Sequence, residues 1–190
     1  DARKNISREK FCEIIMLYYR AITGGGSSAA GEPAFTDTNN PAVIEAYGLG
    51  IVSGTSPGFF SPFRGIRREE MAAMLVRAIH LTGGMEYDAT GSYKLYADDG
   101  SISSYAKTDV YYLRRIGVMQ GDTYNRFLPR NPVTVEQALA LVIRAYRLFS
   151  LEGLASSAEG TVSAGKKTLA LGMTLTEMLQ VMGQPTRIDP

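Results

Sequence analysis

Ile66-Arg67-Arg68-Glu69-Glu70 stands where a loop ends and an amphipathic helix of about four turns begins, and the same kind of start occurs twice more in the chain. Ile6-Ser7-Arg8-Glu9-Lys10 precedes it by 60 residues, and Val133-Thr134-Val135-Glu136-Gln137 follows it by 67. After each start the apolar residues fall on one helical face: Phe11, Ile14, Ile15, Tyr18, Tyr19 and Ile22; then Met71, Met74, Leu75, Ala78, Ile79 and Thr82; then Ala138, Leu141, Val142, Ala145, Tyr146 and Phe149. A pattern that returns in register over six positions identifies a repeat array.

Working outward from the middle start, Phe35-Thr36-Asp37 opens the second unit, and Pro41 leads a short helix over the apolar stretch from Val43 to Leu49. Gly50-Ile51-Val52-Ser53-Gly54 then stops the helix and turns the chain, and Phe60-Ser61-Pro62 carries it to Ile66. The third unit repeats this order with Tyr96-Ala97-Asp98, a helix over about Ser104 to Ile116, the turn Gly117 to Gly121, and Phe127-Leu128-Pro129. Its inward residues are expected to be Tyr105, Tyr112, Leu113 and Ile116. The fold expected is all-α, a set of tandem helix-loop-helix repeats. Residues 1–30 supply the second half of repeat one, residues 31–84 repeat two and residues 92–149 repeat three. Residues 150–168, rich in Ser, Gly, Ala and Lys, read as a linker, and residues 169–190 as a short C-terminal piece of a second domain. Because residue 1 falls almost at a helix start, the chain reads as a fragment or a processed form.

Composition narrows the function classes. The 190 residues hold 20 Lys and Arg against 19 Asp and Glu, a balance that argues against a broad nucleic-acid surface. No apolar run approaches the roughly 18 residues of a membrane span. The one cysteine, Cys12, sits in a helical pattern and reads as a small core residue. His80 is the single histidine, on a helix beside the apolar face, so neither a His-rich metal site nor a Ser-His-Asp triad is supported. No cofactor, metal or catalytic residue is expected.

The four separated elements in fixed order, aromatic-x-Asp, the Gly-to-Gly turn, Phe-x-Pro and the helix start, resemble the S-layer homology domain over residues 5 to about 149. That resemblance implies a pseudo-threefold bundle of three units, binding to secondary cell-wall polysaccharide, often through a pyruvylated sugar, and an extracellular location in the cell wall or S-layer. The departures are specific. The family's motif arginine is Arg8 and Arg68, but Val135 stands in the third copy, and the aromatic beginning the first helix is Tyr105 in repeat three but Thr38 in repeat two. The tail from Leu171 to Arg187 looks like the start of the small domain that precedes some bacterial CAP domains.

Helix starts favour anions through free N–H groups and the macrodipole, and an arginine adds a donor fork suited to a carboxylate. Arg8 and Arg68 are therefore the candidate ligand residues. Ser53, Gln120 and Asp122 are candidates for sugar hydroxyls, Gly54 and Gly121 for close approach of a ring, and Tyr47 or Tyr124 for stacking. The alternatives are structural: each arginine can pair with an acid such as Glu69 or Asp37, and the glycines can serve the turns alone. Glu9, Glu69 and Glu136 suit a helix start, worth a few tenths to about 1 kcal/mol; Asp37 and Asp98-Asp99 could bind a cation, but the resemblance implies that they cap or close loops. Thr134 and Gln137 form a full capping box in the copy that lacks the arginine. A competing expectation is that the repeats have become a protein-interaction or self-association scaffold using Phe59, Phe63 and Tyr87.

Overall fold

The computed structural model describes residues 2–24, 34–83 and 94–158, the last eight of these by backbone path alone. Five α-helices carry the described fold: α1 (Arg8–Thr23), α2 (Pro41–Gly48), α3 (Arg68–Leu81), α4 (Ser104–Arg115) and α5 (Val135–Ala158). A 3-10 turn at Asp99–Ser101 precedes α4. Among the described residues extended backbone pairs only in isolated bridges, so the fold is all-α as expected.

The helix starts follow from local chemistry. Ser7 Oγ accepts from Lys10 N at α1, and Asn40 Oδ1 accepts from Ala42 N at α2, where Pro41 occupies the first turn. At α5 both halves of the box form, Thr134 N donating to Gln137 Oε1 and Gln137 N to Thr134 Oγ1. At α3 the capping position is Arg67, whose side chain cannot accept. Glu70 reaches back instead, and its Oε2 accepts from Arg67 N at 2.9 Å.

The three long-helix starts meet in one junction whose bonds run in a cycle. Ile66 N donates to Ile6 O, Ile6 N to Val133 O, and isolated bridges join Ser7 with Gly65, Arg67 with Pro132, and Asn5 with Thr134. Ile6, Ile66 and Val133 are buried there. From this junction α1 packs on α2, α3 and α5, while α3 packs on α4 and α5. The six-position faces of the three long helices feed one continuous core, with Thr82, Tyr19, Ile22, Tyr146 and Phe149 at its partly covered edges. Cys12 is fully buried, and burial pushes its thiol up to about 12, which fits an inert core residue.

Two details differ from the sequence reading. Tyr105 is 53% exposed rather than inward, because α4 presents Ala106, Val110 and Leu113 to the core and leaves Tyr105 on the turn that faces a groove. The helix expected to end near Phe149 runs on to Ala158, so the stretch read as linker begins as helix. The CAP-like tail and Tyr87 lie outside the described residues.

Candidate functional site

The motif arginines do not point away from the array; each reaches into the turn of the next unit. Arg8 Nη2 donates to Ser53 O at 3.0 Å and Nε to Phe60 O at 3.1 Å, and its guanidinium lies 4.7 Å from the centre of the Phe60 ring. Arg68 repeats the arrangement: Nη2 donates to Gln120 O at 2.7 Å, with the guanidinium 5.1 Å from the Phe127 ring. The backbone shares the job, since Arg8 N bonds Arg64 O and Arg68 N bonds Asn131 O. The seven sequence candidates therefore fall into two clefts, one holding Arg8, Ser53 and Gly54, the other holding Arg68, Gln120, Gly121 and Asp122.

The aromatic-x-Asp elements build the floor of these clefts. Asp37 accepts from the backbone N–H of Phe60 and Ser61, and Asp98 from those of Phe127 and Leu128, at 2.7 to 2.9 Å. These bonds pin Ser61 and Leu128 at φ of 61° and 59°, a left-handed conformation that such residues otherwise avoid. Some burial opposes the charge of Asp37, yet the two N–H donors hold its carboxyl below the ordinary range. The aspartates thus close loops, as the sequence suggested. At Gly54 an added Cβ would lie 2.8 Å from the carbonyl oxygens of Ser56 and Phe59, and at Gly121 2.8 Å from the Tyr96 ring. What approaches these glycines is the protein itself.

The Arg8 cleft opens into a groove of about 540 Å³ between the 53–55 turn, the first three turns of α3 and the start of α4. Glu70 lies in its floor, where Oε1 accepts from Arg8 Nη1 at 3.2 Å and from Arg64 Nη2 at 2.5 Å. Burial works against its ionisation, but the bonds from Arg64 and the Arg67 N–H hold it below the usual carboxylate range. Burial lowers the Arg8 pKa, and Glu70 offsets part of that. Glu69, which is 2% exposed, does not serve its own helix: its oxygens accept from Ser103 N and Oγ, capping α4 of the following repeat. Glu9 does the related job in repeat two by accepting from Thr38 Oγ1.

Sequence reasoning missed Arg64, Arg67, Glu70 and Arg77 as groove residues. A signal was present, because positions 67, 70, 74 and 77 form one helical stripe and three of them are charged. The remaining candidates are less concentrated. Asp122 is engaged in its own turn, accepting from Tyr124 N, Arg126 N and the Arg126 guanidinium. Tyr47 packs edge-on against Phe35, and Tyr124 is 74% exposed beside Arg126. His80 is exposed and meets the edge of Tyr112. Among the described residues no group of His, Cys, Asp and Glu could hold a metal, and no helix is long and apolar enough to cross a membrane.

Residues 35–72 and 95–139 match the family model of the S-layer homology domain. Among curated proteins the chain is 36% identical over 111 residues to an endoglucanase of Bacillus sp. (strain KSM-635), covering 57% of this chain and 12% of that protein. It is 27% identical over 147 residues to an amylopullulanase of Thermoanaerobacterium thermosulfurigenes, covering 75% of this chain and 8% of the relative. It is also 28% identical over 144 residues to exoglucanase XynX of Acetivibrio thermocellus, covering 73% of this chain and 13% of the relative. The chain thus spans about a tenth of the length of each.

Proposed function

Starting from repeats that belong to the S-layer homology domain family, non-catalytic modules that anchor surface proteins to the cell wall, we propose that this chain holds secondary cell-wall polysaccharide through an anionic, pyruvylated sugar. The observation that carries this reading is the repeated placement of a motif arginine over a Phe ring and against a turn carbonyl, once at Arg8 and once at Arg68. Each cleft sets a motif arginine beside a turn side chain, Ser53 in one and Gln120 in the other, suited to sugar hydroxyls, while Gly54, Gly121 and Asp122 are taken up by the protein's own turns. The three units act as a pseudo-threefold bundle in which Val135 leaves the third start without a cation. The glycosidase names belong to proteins of which this chain matches a tenth; here the reading is anchoring of whatever the repeats are joined to.

Purified wall polysaccharide should sediment with the protein, less so after its pyruvate is removed, and Arg68→Ala should weaken binding by about 1.5 to 3 kcal/mol, the scale of a charged hydrogen bond. Polymer that fails to bind with or without pyruvate would overturn the reading. A second reading, a scaffold that assembles through its surface, is favoured by Phe63 and Phe59, which are 85% and 51% exposed. Sedimentation showing stable self-association without polymer binding would select it.

A further inference from the structure

The polysaccharide reading leaves open which charges in the 540 Å³ groove meet the ligand, and the charge pairing inside it distinguishes them. Four guanidiniums, Arg8, Arg64, Arg67 and Arg77, line the groove with two carboxylates, Glu69 and Glu70. Both carboxylates are spent internally. Glu69 is taken up by Ser103, and Glu70 by Arg8, Arg64 and the Arg67 N–H. Arg8 is also spent: it is 5% exposed and places three donors on Phe60, Ser53 and Glu70. Its guanidinium clamps repeat one to repeat two.

Arg67 and Arg77 are in a different position. The Arg67 side chain is exposed and forms no ion pair among the described residues; its charge acts on the neighbouring Tyr105 hydroxyl. Arg77 has one weak contact, to Ile51 O at 3.5 Å. The acid facing it from α4 is Asp109, which forms no ion pair with it within 4.0 Å. Two guanidiniums without an ion pair therefore remain, Arg67 at the N-cap of α3 and Arg77 on the helix itself, ten residues or roughly 15 Å apart along the helix axis.

We propose, resting on the polysaccharide reading, that Arg67 and Arg77 are the ligand-facing cations of this groove and that it reads two successive anionic groups along one glycan chain. Neither residue is the motif arginine. A ligand carrying a single acidic sugar meets one of them and forgoes the contact with the other, so the second charge on the polymer is what gives the length its selectivity.

The test uses the full chain and fragments of wall polysaccharide cut to carry one or two pyruvate ketals, with binding followed by calorimetry. The wild type should favour the two-charge fragment by at least tenfold, and that preference should shrink as salt rises. Arg67→Ala with Arg77→Ala should bind both fragments alike, whereas Arg67→Lys with Arg77→Lys should keep most of the preference; circular dichroism verifies that each variant is folded. A folded double alanine variant with an undiminished preference, or a wild type that binds both fragments equally, overturns this inference and leaves the anchoring reading standing. A wild type that binds neither fragment nor the intact polymer overturns both.

Discussion

Arg8 and Arg68 occupy copies of one position, yet the protein treats them differently. Each sits over a phenylalanine and bonds a turn carbonyl, but Arg8 also meets Glu70, while the residue 67 positions after Glu70 is Gln137, whose amide is used by the cap of α5. A single carboxylate thus converts one copy into a buried three-way clamp and leaves the other half-exposed with one hydrogen bond. Repeats share a scaffold, and the charge of one neighbour decides whether a shared residue holds the fold or remains free to hold something else. The largest expected effect tests this directly. Arg8→Ala should destabilise the fold by about 2 to 3 kcal/mol, the scale of lost charged hydrogen bonds, since Arg64 still pairs with Glu70. Arg68→Ala should cost about 1 kcal/mol, a net hydrogen bond with a modest ring contact. Urea denaturation of the two variants measures the gap; equal losses would erase the distinction.

What the sequence made legible follows the same line. Helical faces repeat in the chain because burial is a property of each residue's own register, so the three long helices, α2 with its first-turn Pro41, and the capping box of Thr134 and Gln137 could all be read directly. Arg8, Arg68 and the loop-closing aspartates could be named but not aimed. Nothing along the chain says that Arg8 crosses to Phe60, or that Glu69 caps the helix of the next repeat rather than its own. Those pairings arise from the cyclic junction of Ile6, Ile66 and Val133, and they depend on residues dozens of positions apart. Tyr105 was misread for a related reason. The first turn of α4 is fixed by the distant Glu69 carboxylate, and the inward face begins only at Ala106.

If the missing carboxylate is what separates the two clefts, restoring it should make them converge. Gln137→Glu places an acid where Glu70 stands relative to Arg8, within reach of Arg68 by the repeat's own geometry. The expected result is a gain of about 0.5 to 1 kcal/mol from a partly exposed pair, with the α5 cap kept because a carboxylate accepts from Thr134 N as the amide oxygen does, and a weaker hold on anionic polymer at the Arg68 cleft. Thermal melts and polymer binding read the two halves. A variant that gains stability while binding polymer as before would show that Arg68 does not face the ligand.

The smallest effect comes from a second non-equivalence between copies. Where α1 meets α2 the repeat positions are Leu17 and Ala42; where α3 meets α4 they are Arg77 and Asp109. Burial raises the Asp109 carboxyl to about 6, and Arg77 opposes that without forming an ion pair. The sign follows from linkage: a carboxyl that binds its proton more tightly when folded adds stability fully below its unfolded value near 4, and that contribution fades as pH rises through about 6. Above that range the ionised group is carried at a cost. Asp109→Asn should therefore stabilise the protein at pH 7 by about 1 kcal/mol, after allowance for solvent screening of a partly exposed group, and should make no difference below pH 4. Melts of both proteins across pH 4 to 8 measure the difference. A benefit that is flat with pH would remove the charge from the account and leave only packing between α3 and α4.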